Sequence, residues 1–356
     1  MVVNIAPLTS HYLHEYAFSL KEPMVKSHVR SIVLVLLLVF VTAAAGAQVF
    51  RIGSAAPENS PWGRTLNRLA GVWSEISDGR VRVQVFHNAI AGNEADMVRK
   101  MRIGQLQAVV MTNTGLSNYS DGILTLSMPL LIRDQGEFDH VFEEVQDELE
   151  DEIGGEGFRV LSWSTAGWLY FFSGDRMTSP DELRSAKLAA SPEEMELVRA
   201  YQLMGYQPIA VPYTERLAAL ANGMVNSYLT VPILAAGFQW FGATPYMLNL
   251  RIGPAPGAIV MSDRAYRMLP ADVRDEMIAA AREIAGGLSE DILELEQTAV
   301  DTMVDFGLNI VELTDAQRQV WVDELEASYD VMLGLVFDEE LYETIQELLD
   351  EYRTAR

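Results

Sequence analysis

The chain has 356 residues, no cysteine, a formal charge of −24 and 49% hydrophobic side chains. So acidic a surface repels nucleic acid and anionic membranes at long range, which excludes nucleic acid as a partner; an anionic solute needs a specific local site. Without cysteine there are no disulfides, no thiolate metal cluster and no lipid-modified N-terminal cysteine, so stability rests on the core.

Residues 1–23 show no pattern and read as an upstream extension. From Met24 the text is "MVKSHVRSIVLVLLLVFVTAAAGAQ". Lys26 and Arg30 form a basic stretch, residues 32–41 an apolar run too short for a comfortable span, and Ala45-Gly46-Ala47 a small-residue cleavage site. Residues 1–47 are therefore expected to be an N-terminal extension and secretory signal peptide. They hold three Lys/Arg and two Asp/Glu, so the remainder carries −24 − 1 = −25. A free periplasmic protein is expected.

"QVFRIGSA" alternates as a strand, and "SPWGRTLNRLAGVWSEISDG" follows with Ser60 as N-cap, Pro61 in the first turn and apolar residues at helical spacing. "RVRVQVF" is a second alternating strand. "GNEADMVRKMRIGQLQ" reads as a helix capped at Asn93, "AVVMT" as a short buried strand, and "NTGLSNYSDG" as a loop. "EFDHVFEEVQDELEDEIGG" is an acidic amphipathic helix, and "FRVLSWS" and "GWLYFFS" are apolar runs. "SPDELRS" carries a capping box from Ser179 to Glu182. Then come the strand KLAAS, a helix, the strand-like "YQPIAVP", the short helix "YTERLAALANG", and strand candidates "MVNSYLTVP", "TPYMLNLR" and "PGAIVMS". From Pro270 to Phe306 one helical pattern continues, interrupted only by Gly286-Gly287. It is too long for an ordinary globular helix and reads as a strut between two bodies or a helix bent at the glycines. Two helices close the chain. The alternation of strands and helices predicts an α/β protein with mainly parallel sheets, and the strand count predicts two domains.

Catalytic constellations are missing from the text. Beyond the signal segment there are two histidines, His87 and His140, without metal-ligand spacing. There is no P-loop, nucleophile elbow or zinc-protease motif. "GGEGFR" precedes a strand, whereas a phosphate cradle follows one. The carboxylates fall on helix faces. The expectation is a non-enzymatic protein without metal or cofactor. Aromatic residues cluster at "GWLYFF" and at "GFQWFGATPY", the latter divided between pocket wall and satellite core.

Five stretches in order resemble the periplasmic substrate-binding component of TRAP transporters, the DctP-type family: "IAGNEADMVRKMRIGQLQA", "LSMPLLIRD", "TSPDELRSAKLAAS", "LMGYQPIAVPYTERLAALANGMVNS" and "MLNLRIGPAPGAIVMS". The resemblance implies two α/β domains closing like a clam on a ligand, with a long helix crossing both. On it, domain I is 48–166 plus 255–298 and domain II is 167–254 plus 299–356. It also implies membrane transport subunits as partners and, in some systems, a tetratricopeptide-repeat protein.

The resemblance implies an arginine that pairs with a substrate carboxylate, and here the chain departs from it. Ala189 stands at that arginine's place, Leu169 at a second arginine position, and Leu229 at a position that is often polar. A buried carboxylate would lack its partner at a cost of several kcal/mol. An acyl chain of about eight methylenes would gain roughly 6 kcal/mol from burial, less its ordering cost. A hydrophobic or amphipathic, lipid-like ligand is expected. Carried over by position, its lining is Met111, Asn113, Met128, Trp168, Leu169, Ala189, Tyr213, Tyr228 and Leu229, with Asn113 and Tyr213 orienting it. Two alternatives stand beside this. One is a sensor that keeps the fold and signals to a protein partner. The other is a small organic acid held by a different arginine, such as Arg176 or Arg216.

Overall fold

Alternating Phe50 and Ile52 bury one side of the first strand, and Ser60 caps the helix that follows by accepting a hydrogen bond from Gly63 N–H at 3.2 Å. From there the computed structural model describes residues 47–356 except Asp121 and Glu193. The predicted signal peptide therefore lies, in its residues 1–46, outside the described residues. Elements run in chain order as β1 (Gln48–Gly53), α1 (Pro61–Ile76), β2 (Val81–Phe86), α2 (Glu94–Arg102), β3 (Ala108–Thr112), the single turn α3 (Asn113–Leu116), α4 (Gln135–Gly155) and β4 (Phe158–Trp168). Next are β5 (Tyr170–Ser173), α5 (Pro180–Ser185), β6 (Lys187–Ala190), α6 (Met195–Leu203), β7 (Gln207–Ala210), α7 (Arg216–Ala221), β8 (Ser227–Thr230), α8 (Pro232–Gly237) and β9 (Tyr246–Leu248). The chain ends with β10 (Pro254–Ser262), α9 (Asp263–Met268), α10 (Arg274–Ala285), α11 (Leu288–Asp305), β11 (Asn309–Val311), α12 (Asp315–Ala327), α13 (Tyr329–Met332) and α14 (Glu339–Thr354).

Two sheets result, one in each lobe. The first has five strands in the order β2-β1-β3-β10-β4 and the second six in the order β11-β9-β5-β8-β6-β7. Both are mainly parallel, as expected, with one reversed strand in each. β10 runs antiparallel to β3 and β4, and β5 antiparallel to β8 and β9. The reversed strands are those that carry the chain between lobes.

The period of two along β3 divides the core of the first lobe. Ala108 and Val110 face a cluster with Trp73, Leu66, Ile259, Met277 and Ile292, while Val109 and Met111 face the opposite side, toward Val141, Val145 and Leu149 of α4. The indole N–H of Trp73 donates to the Met277 carbonyl at 2.8 Å, tying α1 to α10. In the second lobe an aromatic stack of Phe172, Tyr228 and Trp240 lies under β5 and β8.

Two antiparallel segments join the lobes side by side. Leu169 N–H donates to Gly253 O and Ile252 N–H donates to Leu169 O, each at 2.9 Å. Beside them runs α11, the second part of the predicted strut, broken from α10 at Gly286–Gly287. Glu296, midway along α11, accepts from Trp168 N–H at 2.6 Å. Pro254, opposite Trp168 in the ladder, has no N–H to offer. Burial pushes the Glu296 carboxyl up to about 7, against the pull of the Trp168 N–H and of Arg251.

The last helix departs from the expected partition. Residues 339–354 pack on α4 of the first lobe rather than remaining with the second. Leu341, Ile345 and Leu349 bury one face of α14, and Arg353 pairs with Glu137 at 2.8 Å. Burial works against the Glu137 carboxylate, but Arg353 and the Arg133 N–H hold it below the usual range.

Gly167 has φ +115, and a Cβ there would overlap Glu296 Oε2. Gly167→Ala is therefore expected to destabilise the protein by roughly 2–3 kcal/mol. Urea denaturation checks this, and Gly287→Ala, with nothing near its Cβ position, serves as the tolerant control.

Candidate functional site

The carboxyl ends of β3, β6 and β8 meet between the two sheets, where an open α/β sheet offers its crevice. Two adjoining chambers lie there. They share Thr112, Thr114, Ala166, Ser191, Tyr213, Val231 and Leu234 as a common wall. The first holds about 110 Å³ of free space and the second about 120 Å³, against the ~10–15 Å³ that one water needs. The first is closed mainly by apolar side chains: Trp62, Val110, Met111, Ile233, Leu234 and Phe238. The second is closed by Leu169, Phe171, Leu188, Ala189, Ala190 and Leu229, with Leu325 and Met332 arriving from α12 and α13.

Six of the nine residues expected from the sequence reach these chambers. Met111 lines the first, Asn113, Leu169, Ala189 and Leu229 line the second, and Tyr213 lines both. Asn113 is already engaged, its amide donating to Ser127 Oγ at 2.9 Å. Tyr213 hydrogen-bonds Thr230.

The other three belong elsewhere. Met128 is fully buried in the core beyond the turn at Gly122–Ser127. Trp168 faces the opposite side of the hinge, beside Arg251 and Glu296. Tyr228 is sealed between Phe172 and Trp240, its hydroxyl 2.9 Å from Thr244 Oγ1. The physical reason is alternation. Neighbours in extended chain point to opposite faces, so Leu169 and Leu229 take the cleft and Trp168 and Tyr228 cannot. The cluster at "GFQWFGATPY" divides likewise: Phe238 lines the first chamber and Trp240 is buried behind it.

Charge enters the site at three points. Arg216, at the start of α7, lines the second chamber and is only 2% exposed. Its guanidinium carbon lies 4.4 Å from the ring centre of Tyr213 and 4.8 Å from that of Trp240. Arg176 is exposed and lines neither chamber. Glu194, on the second lobe, accepts from Thr114 Oγ1 of the first at 2.8 Å, a hydrogen bond across the cleft. Glu94, at the head of α2, accepts from the Thr112 N–H and hydroxyl at 3.1 and 3.0 Å, clasping the end of β3. Burial pushes its carboxyl up to about 7, the bonds from Thr112 and Gly115 pull the other way, and the Glu194 charge adds to the rise.

No cluster of three or more metal-ligating side chains occurs among the described residues, and no described helix is long and apolar enough to cross a membrane. His87 is buried, with Nε2 3.1 Å from Asn67 Oδ1, and His140 stacks on Tyr352.

Residues 52–334 match the profile of DctP, described as bacterial extracellular solute-binding protein, family 7. Over 291 residues the chain is 20% identical to the 2,3-diketo-L-gulonate-binding periplasmic protein YiaO of Escherichia coli (strain K12), covering 81% of this chain and 88% of that protein. A TRAP periplasmic solute-binding protein from Sulfurospirillum deleyianum, solved with bound succinate, superposes with a TM-score of 0.78 at 18% identity over 84% of this chain and 98% of that one. The sugar acid binding protein DctPAm from Advenella mimigardefordensis, solved with galactonate, gives 0.77 at 16% identity over 86% and 98%.

Glu94 sets a pH dependence whose sign follows from its raised value. The native state keeps this proton up to about 7, while the unfolded chain releases it near ~4.3. Stability from this group is thus greatest at low pH and falls as pH rises through that window. Glu94→Gln is expected to remove no more than ~3 kcal/mol of that slope. Urea denaturation of both proteins between pH 5 and 8 checks this as the difference between their two slopes, because Glu296, also raised to about 7, titrates in both alike.

Proposed function

Because this chain belongs to the DctP family of bacterial extracellular solute-binding proteins, which serve TRAP transporters by handing solute to membrane subunits, we propose that it captures an amphipathic organic acid between its lobes. The observation that carries this is the apolar lining of the paired chambers. Leu169, Ala189 and Leu229 present only hydrocarbon at three points around the second chamber. Val110, Phe238 and Ile233 continue that surface in the first.

Two lines of support converge on an acid with an apolar body. The relatives are named for, or solved with, organic acids: diketogulonate, succinate and galactonate. The walls here favour hydrocarbon over hydroxyl groups. Each buried methylene contributes about 0.8 kcal/mol, whereas each sugar hydroxyl buried without a partner costs ~1–3 kcal/mol. A fatty acid-like chain suits such walls, and a sugar acid does not. The protein works in the periplasm, without enzymatic turnover.

Mass spectrometry of protein purified from cells and gently denatured is expected to release an amphipathic acid. An empty protein that is stabilised by succinate or galactonate and not by octanoate would sink the apolar-ligand reading. An empty protein indifferent to all three would favour the sensor alternative. Ala189→Arg, which fills the second chamber with a charged side chain, is expected to weaken octanoate binding at least ~10-fold while leaving the fold intact by circular dichroism. Unchanged binding would place the site elsewhere.

A further inference from the structure

Arg216 lines the second chamber, and the apolar walls do not account for its chemistry. It is 2% exposed, and its Nε is buried with no hydrogen-bond partner. Among the described residues no carboxylate lies within 4.0 Å of its guanidinium and none of its N–H groups makes a hydrogen bond to protein. A guanidinium carries five donors and cannot shed its proton. Holding one out of water and without a counter-ion is unfavourable, and stacking on two aromatic faces recovers part of the loss. The stacking also fixes the group. Tyr213 and Trp240 hold its plane, and Trp240 is in turn held by Phe238 and Tyr228 at centroid distances of 5.2 and 5.4 Å. A rigid, unpaired, desolvated fork at a cavity wall is the arrangement that a planar carboxylate completes with two parallel hydrogen bonds.

The acids around it decide what else the ligand can carry. Glu194 shares the second chamber and accepts from Thr114, and Glu94 stands at the first chamber, clasping Thr112. A second carboxylate on the ligand would point from Arg216 toward the Glu194 carboxylate and meet like charge, and toward Glu94, whose raised value leaves it little charge to offset. An apolar tail meets Leu169, Leu229 and then Val231 and Phe238.

We propose that Arg216 is the carboxylate anchor of this protein, entering the cleft from α7, and that the site takes a monocarboxylate whose apolar tail runs toward the first chamber. This rests on the reading that the chambers hold the solute. The test is isothermal titration of the full exported chain with octanoate, 1-octanol and octanedioate, which share a carbon skeleton and differ only in their ends. Octanoate is expected to bind more tightly than octanol by about 30- to 1000-fold, the loss seen when one partner of a buried charge pair is removed, and more tightly than octanedioate. Arg216→Gln is expected to erase the difference between acid and alcohol, and Arg216→Lys, which keeps the charge and loses the fork, to restore part of it. Equal affinity of the wild-type protein for octanoate and octanol overturns the anchor and leaves the apolar-cavity reading standing. Binding of none of the three overturns both. Octanedioate binding as well as octanoate overturns the selection for a single carboxylate. The wild-type comparison needs no variant, so a fold-defective Arg216→Gln does not remove the test.

Discussion

The crossing between the lobes is the constraint on which the rest of the structure depends. Two extended segments, around Leu169 and Ile252, pair through reciprocal hydrogen bonds at 2.9 Å. Pairing fixes their register, and the register fixes which side chains turn into the cleft and which turn away. Opposite Pro254 the Trp168 N–H has no partner in the ladder and is taken by Glu296 from the strut helix. One carboxylate thus ties the strut helix to the crossing strand. Gly167 is needed because any larger residue would displace that carboxylate. The hinge is polar at its seam and walled by Trp168.

The cleft brings together surfaces of different character. Hydrocarbon from both lobes makes much of the walls, and several polar groups there are already committed to protein partners: Asn113 to Ser127, Thr114 to Glu194, Glu94 to Thr112. Satisfied polar groups add shape but little affinity for a ligand, because a ligand must break a bond to gain one. Arg216 differs in having donors to spare. Chemical selectivity in such a cleft is concentrated in one guanidinium and in the Glu194 carboxylate that opposes a second negative end.

Much of the architecture was legible in the sequence, for local reasons. Ser60-Pro61, the Ser179 capping box and the alternation in "RVRVQVF" each specify their own element. The order of β and α segments specifies two α/β lobes, and the two adjacent glycines mark where the strut breaks. Other features were hidden because they depend on distant partners. β11 is three residues long and exists as a strand through β9. The turn at Gly122–Ser127 looks like a strand by its apolar content. The last helix carries the acidic amphipathic signal of any surface helix, and only its contact with α4 shows which lobe it serves. At the site, alternation could have excluded Tyr228 and Trp168 once Leu229 and Leu169 were placed in the cleft. The local signal for Arg216 was Tyr213, three residues before it, whereas the second ring, Trp240, comes from across the lobe and could not be read from spacing.

The return of α14 to the first lobe has a mechanical consequence. α12 and α13 rest on the second lobe against α5 and α6, and α14 is fastened to α4 through Arg353 and Glu137. Only residues 333–338 connect them, looped back through a bridge between Leu333 and Phe337 around Gly334. Asp338 N–H is pinned to Thr125 Oγ1 at 2.9 Å. Pulled straight, six residues reach on the order of 20 Å. The loop is thus a further tie between the lobes, apart from the paired hinge segments. It also carries Val336 and Phe337 into the wall of the second chamber, so the tether is itself part of the surface that a solute meets.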